Sequence, residues 1–177
     1  MEQRKTEALN HATLISDERV IVGVDDLILL SSVNEISILE NLKMRHAADV
    51  IYLYIGHVLG VVNPYKWLDI YGEESMRAYM HKTSIDMAPH VFATAEETYR
   101  TMLSEEDNQC VIIRGESGAG KTEASKQIQK YIAGVSGSGA GVDKVKRTFL
   151  ESNPLLEEFV NAKTLRNNNS SRFWQIL

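Results

Sequence analysis

Apolar positions recur along this chain with two different periods, and each change of period marks an element. Residues 1 to about 20 are polar with scattered apolar positions and predict no regular element. "GVDDLILLSS" follows as a short apolar run ending in serines. Ser32 and Glu35 stand at capping-box spacing, and "EISILENLKMRHA" continues at helical intervals through Ile36, Leu39 and Leu42, so a helix is expected there. "VIYLYIG" and "VLGVVNP" are rich in β-branched and aromatic residues and are parted by Gly56 and His57. That pattern predicts a hairpin ended by Pro64. "APHVFATAEETYRTMLSEED" puts Phe92, Ala95, Tyr99 and Met102 on one helical face. "NQCVIIR" is a short apolar run of the kind buried in a parallel sheet, and Cys110 within it reads as a small buried apolar residue. Glycine and serine dominate "AGVSGSGAGVDK", a flexible loop. "VDKVKRTFLESNPLLEEFV" predicts one or two short helices broken near Asn153 and Pro154, and a polar stretch then leads to a strand-like tail, "FWQIL". No internal repeat is visible.

Composition narrows the class without naming a function. A chain of 177 residues suffices for one ordinary domain. Its net charge of −5 gives no reason to expect nucleic-acid binding by phosphate neutralisation. No apolar run reaches membrane-span length, and "MEQRKTEALNH" has no apolar core of the signal-peptide kind. One cysteine excludes an internal disulfide framework, and the expected location is cytoplasmic. His57, His81 and His90 lack metal-ligand spacing and read as surface or turn residues.

The chemistry lies in "NQCVIIRGESGAGKTEASKQIQKYI". Gly115, Glu116, Ser117, Gly118, Ala119, Gly120, Lys121 and Thr122 match G-x-x-x-x-G-K-[ST] between an apolar run and an amphipathic run. Glycines at Gly115, Gly118 and Gly120 permit positive φ and let backbone N–H groups turn onto a phosphate. The helix that follows aims its positive end at the same place. Lys121 carries a full charge toward β/γ-phosphates and Thr122 offers a hydroxyl to Mg²⁺, so ATP and Mg²⁺ are the expected ligands. Ala124, Ile128 and Ile132 share the inward face, with Lys126 and Lys130 outward.

Taken together, "GESGAGKTE" with "ASKQIQKYIA", the upstream "NPYKWLDIY" and the downstream "NPLLEEFVNAKTLRNNNSSRF" resemble the N-terminal part of a myosin motor domain, from about Gly23 to Phe173. "EASKQIQKYIAGVSG" and the short N-terminus are most similar to class I myosins. The resemblance implies an α/β fold, a P-loop NTPase-type mixed sheet flanked by helices and here incomplete. It divides the chain into an extension, 1–20, and a truncated motor domain, 21–177. It also implies that Asn63, Pro64, Lys66 and Tyr71 border the adenine ring. By the same likeness Asn167, Asn169, Ser170, Ser171 and Arg172 form switch I, with Ser171 beside Thr122 on the metal and Asn167 on phosphate. Lys121, Ser170, Ser171 and Arg172 are then the catalytic set. Apart from the family, "RNNNSSR" is an ordinary polar loop, and Trp67 and Tyr71 are core aromatics as readily as a ring wall.

The family's partner is the actin filament, and its setting is the cytoskeleton; family tails that bind lipids have no counterpart in these residues, and no membrane segment is expected. Switch II, the actin-contacting regions and the lever are likewise without counterpart, so the chain reads as a truncated gene model, splice product or remnant without motor activity of its own. Two departures are local: His57 replaces a usual proline, and Glu158 and Val160 replace small residues. A charge and a branched side chain in a packed site there would cost about 1–3 kcal/mol. Two other classes stay open: a small independent P-loop NTPase, and a non-enzymatic product that folds only with a partner. An acidic metal-binding strand after the P-loop would favour the former, and the tail carries no Asp or Glu.

Overall fold

The computed structural model describes residues 22–83, 87–137, 143–144, 146–148, 151–152, 158–159, 161–165, 167–168 and 170–171. It comprises two compact units, Met1–Thr94 and Ala95–Leu177.

Polar groups organise much of the first unit. Helix α1, Glu35–Ala47, starts from Asn34, whose side chain accepts the Ser37 N–H at 3.0 Å. The cap therefore lies two residues beyond Ser32; that hydroxyl accepts from the Asn34 amide at 2.9 Å and steadies the cap instead. Asparagine caps as well as serine, because its oxygen reaches the same orphan N–H groups. The apolar stripe expected along α1 is not its buried face: Ile36 is 71% exposed, Leu39 is 49% exposed, and Asn41 and Arg45 are buried.

The reason lies in the backbone beside them. Val24 and Asp25 carry backbone N–H and C=O groups that need partners once covered. Asn41 Oδ1 accepts the Val24 N–H at 2.8 Å while its Nδ2 donates to the Val24 carbonyl at 3.2 Å. Arg45 donates to the Val24 carbonyl, to Asp25 Oδ1 at 2.6 Å and to the Tyr52 carbonyl at 2.7 Å. Gly23 has φ 82°, and a Cβ there would collide with the Asn41 carboxamide.

The predicted hairpin forms. Strands β1, Tyr52–Ile55, and β2, Val58–Val61, pair antiparallel with Ile55 opposite Val58 and Tyr52 opposite Val61. Gly56 takes φ 62° at the first turn position, which a side chain would resist. Asp26 Oδ1 accepts the Gly56 N–H at 3.1 Å and the Ile28 N–H at 3.0 Å, tying a short 3-10 helix, Leu27–Leu29, to the turn. His57 and His81 are exposed, as expected.

His90 is not a surface residue. It is 6% exposed and sits among Tyr52, Tyr71, Tyr79 and Phe92, with ring centroids 4.7–5.6 Å away. Its Nδ1 accepts the Phe92 N–H at 3.1 Å at the start of helix α3, Val91–Glu105. Cluster burial satisfies one ring nitrogen locally and hides the imidazole, which metal-ligand spacing cannot reveal. Burial also lowers its pKa from 6.5 to about 4, the Ile70 carbonyl opposing this only in part. The unfolded chain then takes up the proton more readily, so stability is fully present above about pH 6.5 and falls as pH drops toward 4. A shift of this size corresponds to a loss of about 3 kcal/mol. Urea denaturation between pH 7.5 and 4.5 should show that decline, and His90→Phe should flatten it; equal slopes in the two proteins would assign the decline to other groups.

Between β2 and α3 lies the short helix α2, Glu73–Tyr79. Helix α3 buries Phe92 and Ala95 fully, as its period predicts, but the face fades toward its end, where Met102 is 39% exposed. In the second unit, helix α4, Lys121–Val135, buries Ile128 and Tyr131, with Ala124 and Ile132 half-buried and Lys130 exposed. The Tyr131 hydroxyl donates to the buried Glu96 carboxylate on α3 at 2.9 Å. Lys126 is paired with Glu123 at 3.3 Å.

Residues 108–114 are not a strand, and Cys110 is exposed. Ile112 is 80% exposed. A parallel strand is fixed by ladders to its neighbours, and the described strands form two separate antiparallel pairs, with an isolated parallel bridge between Asp26 and Tyr54. The second pair is β3, Asn161–Ala162, with β4, Ser170–Ser171. Glu158 is helical and exposed. Val160, the N-terminal 1–20 segment, the 138–142 part of the glycine-serine loop, the break at 153–154 and the tail at 173–177 lie outside the described residues. Among the described residues no helix is long and apolar enough to cross a membrane.

Candidate phosphate-binding site

The glycine loop of the second unit leads directly into α4. Gly118 and Gly120 take φ 83° and 94°, left-handed values that side chains rarely adopt, so these two positions need glycine. Gly115 meets a different limit: a Cβ there would come within 3.2 Å of the Ala119 methyl. The Ala119 N–H donates to the Glu116 carbonyl at 3.2 Å and closes the loop. Gly120 is the N-cap of α4 and supplies no side-chain acceptor, leaving the first-turn N–H groups for another partner.

Lys121 curls over this loop. Its ammonium donates to the Gly115 carbonyl at 2.8 Å and the Glu116 carbonyl at 2.7 Å. A full positive charge is thereby held at the mouth of the turn beside the helix start. Thr122, the next residue, is half-buried.

A second strip of chain meets the loop through hydroxyls. Ser117 Oγ lies 3.0 Å from Thr164 Oγ1 and 3.1 Å from Ser170 Oγ. Thr164 and Asn167 form a turn: the Thr164 N–H donates to the Asn167 carbonyl at 2.7 Å, and the Asn167 N–H donates to Thr164 Oγ1 at 3.0 Å. Ser170 is buried and, with Ser171, pairs in β4 against β3. Ser117, Asn167 and Ser170 are therefore brought together, on a frame that also holds Lys121. Asn169 and Arg172 lie outside the described residues.

The 63–71 segment belongs to the first unit. The Tyr65 N–H donates to Asn63 Oδ1 at 2.9 Å, a side-chain-closed turn around Pro64. Lys66 pairs with Asp49 at 2.6 Å in solvent. The Tyr71 and Tyr52 hydroxyls are 2.9 Å apart, and Trp67 is 75% exposed with its ring 6.1 Å from that of Tyr71. Tyr71 is thus half-buried against Tyr52, whereas Trp67 stands exposed.

Thr164 is the residue that sequence reasoning passed over. Its signal was a hydroxyl side chain three positions before Asn167, the spacing of a side-chain-to-backbone turn.

The donor set fits a nucleotide phosphate with a hard cation. Uncapped N–H groups and a lysine suit the phosphate, and hydroxyls suit Mg²⁺, which retains waters and takes oxygen ligands. Among the described residues no group of three His, Cys, Asp or Glu forms a cluster that could bind a metal on its own.

This glycine loop, lysine and hydroxyl strip fall within a stretch, residues 24–177, that matches the family described as the myosin head (motor domain). The chain belongs to the myosin motor-domain family. It is 56% identical over 162 residues to the myosin IA heavy chain of Dictyostelium discoideum, covering 92% of this chain and 16% of that one. It is 58% identical over 152 residues to the myosin ID heavy chain of the same organism, covering 85% and 14%. Myosin-1 of Neurospora crassa is 54% identical over 167 residues, covering 94% and 14%. These relatives carry class I names, and the matched region spans about a seventh of their length.

Proposed function

We propose that the second unit is the phosphate end of an ATP·Mg²⁺ site in the N-terminal part of an actin-based myosin motor domain, residues 21–177, working at the cytoskeleton. The observation that carries it is the Ser117–Ser170 contact, which joins the glycine loop to the candidate switch beside Lys121. In this reading Lys121 binds the β/γ-phosphates, and Gly115–Gly120 offer backbone N–H groups. Thr122 and Ser171 serve the cation, Asn167 and Asn169 donate to phosphate oxygens, and Ser170 and Arg172 orient around the terminal phosphate. Bound Mg²⁺ would neutralise phosphate charge. Asn63, Pro64, Lys66 and Tyr71 are assigned to the base on the family likeness alone. The finer fold, a P-loop NTPase mixed sheet, and the actin partner belong to the same reading.

A fluorescent ATP analogue tests it. Saturable binding is expected in Mg²⁺, displaced by ATP and by pyrophosphate, and at least about tenfold weaker in chelator, the equivalent of one lost cation contact of about 1.4 kcal/mol. Absence of saturable binding by folded protein, or binding indifferent to pyrophosphate, would overturn it.

A further inference from the structure

The four hydroxyl and amide groups around Thr164 can be assigned their protons. The Asn167 carbonyl can only accept, so the Thr164 hydroxyl spends its single proton there, at 3.0 Å. Thr164 Oγ1 then has only lone pairs left; it accepts the Asn167 N–H and must accept the Ser117 proton. Ser117, having donated, accepts from Ser170. The chain of donors runs in one direction, from Ser170 through Ser117 and Thr164 to the Asn167 carbonyl. Each member satisfies the next, and removal of the Thr164 hydroxyl takes one hydrogen bond from Ser117 and two from the Asn167 backbone, which keeps its carbonyl contact with the Thr164 N–H.

Besides Thr164, the Ser170 hydroxyl also reaches the loop, at Ser117. The β3–β4 pair is two residues long on each side, too short to hold a register by itself. Thr164 bonds both the turn at Asn167 and, through Ser117, the glycine loop.

We propose that Thr164 is a positioning residue that latches Asn167 and, through Ser117, Ser170 onto the glycine loop and thereby sets how long a bound nucleotide stays. The second half of this statement rests on the nucleotide reading of the site; the latch itself does not. Thr164 touches neither phosphate nor cation in this scheme. It acts through Ser117 and the Asn167 backbone.

Three full-length variants separate the two halves: Thr164→Val, which keeps the shape and deletes the hydroxyl; Thr164→Ser, which keeps the hydroxyl; and Lys121→Ala. Amide hydrogen exchange without nucleotide is read first. In Thr164→Val, the amides of residues 167–171 should exchange about tenfold faster, the effect of one ordinary hydrogen bond, with Thr164→Ser close to wild type and the global unfolding midpoint unchanged. Exchange unaltered in Thr164→Val overturns the latch, whatever the nucleotide does. Stopped-flow chase of the fluorescent ATP analogue is read second. Dissociation should be about tenfold faster in Thr164→Val with the association rate unchanged, again restored by serine. If Lys121→Ala loses binding while Thr164→Val releases nucleotide at the wild-type rate, the positioning role is wrong and the site reading survives. If Lys121→Ala binds like wild type, the nucleotide reading fails and the exchange result alone decides the latch.

Discussion

Arg45→Ala should destabilise the first unit by about 3–5 kcal/mol, the cost of breaking a buried ion pair by removing one partner. Arg45 is 2% exposed and Asp25 only 13% exposed in their side chains, so water cannot take over the lost contact. The alanine also strips a donor from the Tyr52 carbonyl at the start of β1 and from Val24. Helix α1, residues 24–25 and the hairpin meet at this one guanidinium, so urea denaturation followed by circular dichroism should register the loss as a large fall in midpoint. Pairing Arg45→Met with Asp25→Asn should recover part of it, because neither charge is then left buried alone. A single-alanine loss below about 1 kcal/mol would place Arg45 among ordinary surface ion pairs and contradict the account.

Lys121→Ala should weaken ATP binding by about 100-fold, since a charge-assisted contact to phosphate contributes about 1.5–3 kcal/mol and each 1.4 kcal/mol is tenfold. The ammonium is held over the loop by two backbone carbonyls, at 2.8 and 2.7 Å, and so is already positioned at the turn. Its loss leaves α4 intact, because the helix buries Ile128 and Tyr131 well beyond its first turn. Helical content should therefore match the wild type while affinity collapses. Equal affinity of the two proteins would reject the site.

What the sequence made legible follows from where the relevant forces act. The hairpin was readable because its turn glycine and β-rich strands lie within ten residues of one another. Helix α4 and the glycine loop were readable for the same reason: period, positive-φ glycines and the lysine form one continuous stretch. The buried face of α1 was not. Asn41 and Arg45 are inward because they satisfy backbone at Val24 and Tyr52, partners that periodicity does not know about. His90 escaped notice likewise, since four aromatic neighbours from separate segments hide it. The apolar run at 108–114 failed in the opposite sense: hydrophobicity marks a strand only where a ladder exists to receive it. Thr164 stood in plain view, but its role depends on Ser117, 47 residues away.

The central claim is that the glycine loop and the 167–171 strip receive the same ligand. Titrating the ¹⁵N-labelled chain with ATP in excess Mg²⁺ and following amide shifts tests this most directly. The account predicts that Gly118, Gly120 and Lys121 shift together with Asn167, Ser170 and Ser171, along one saturation curve. Shifts confined to the glycine loop, or to residues away from both strips, would contradict it.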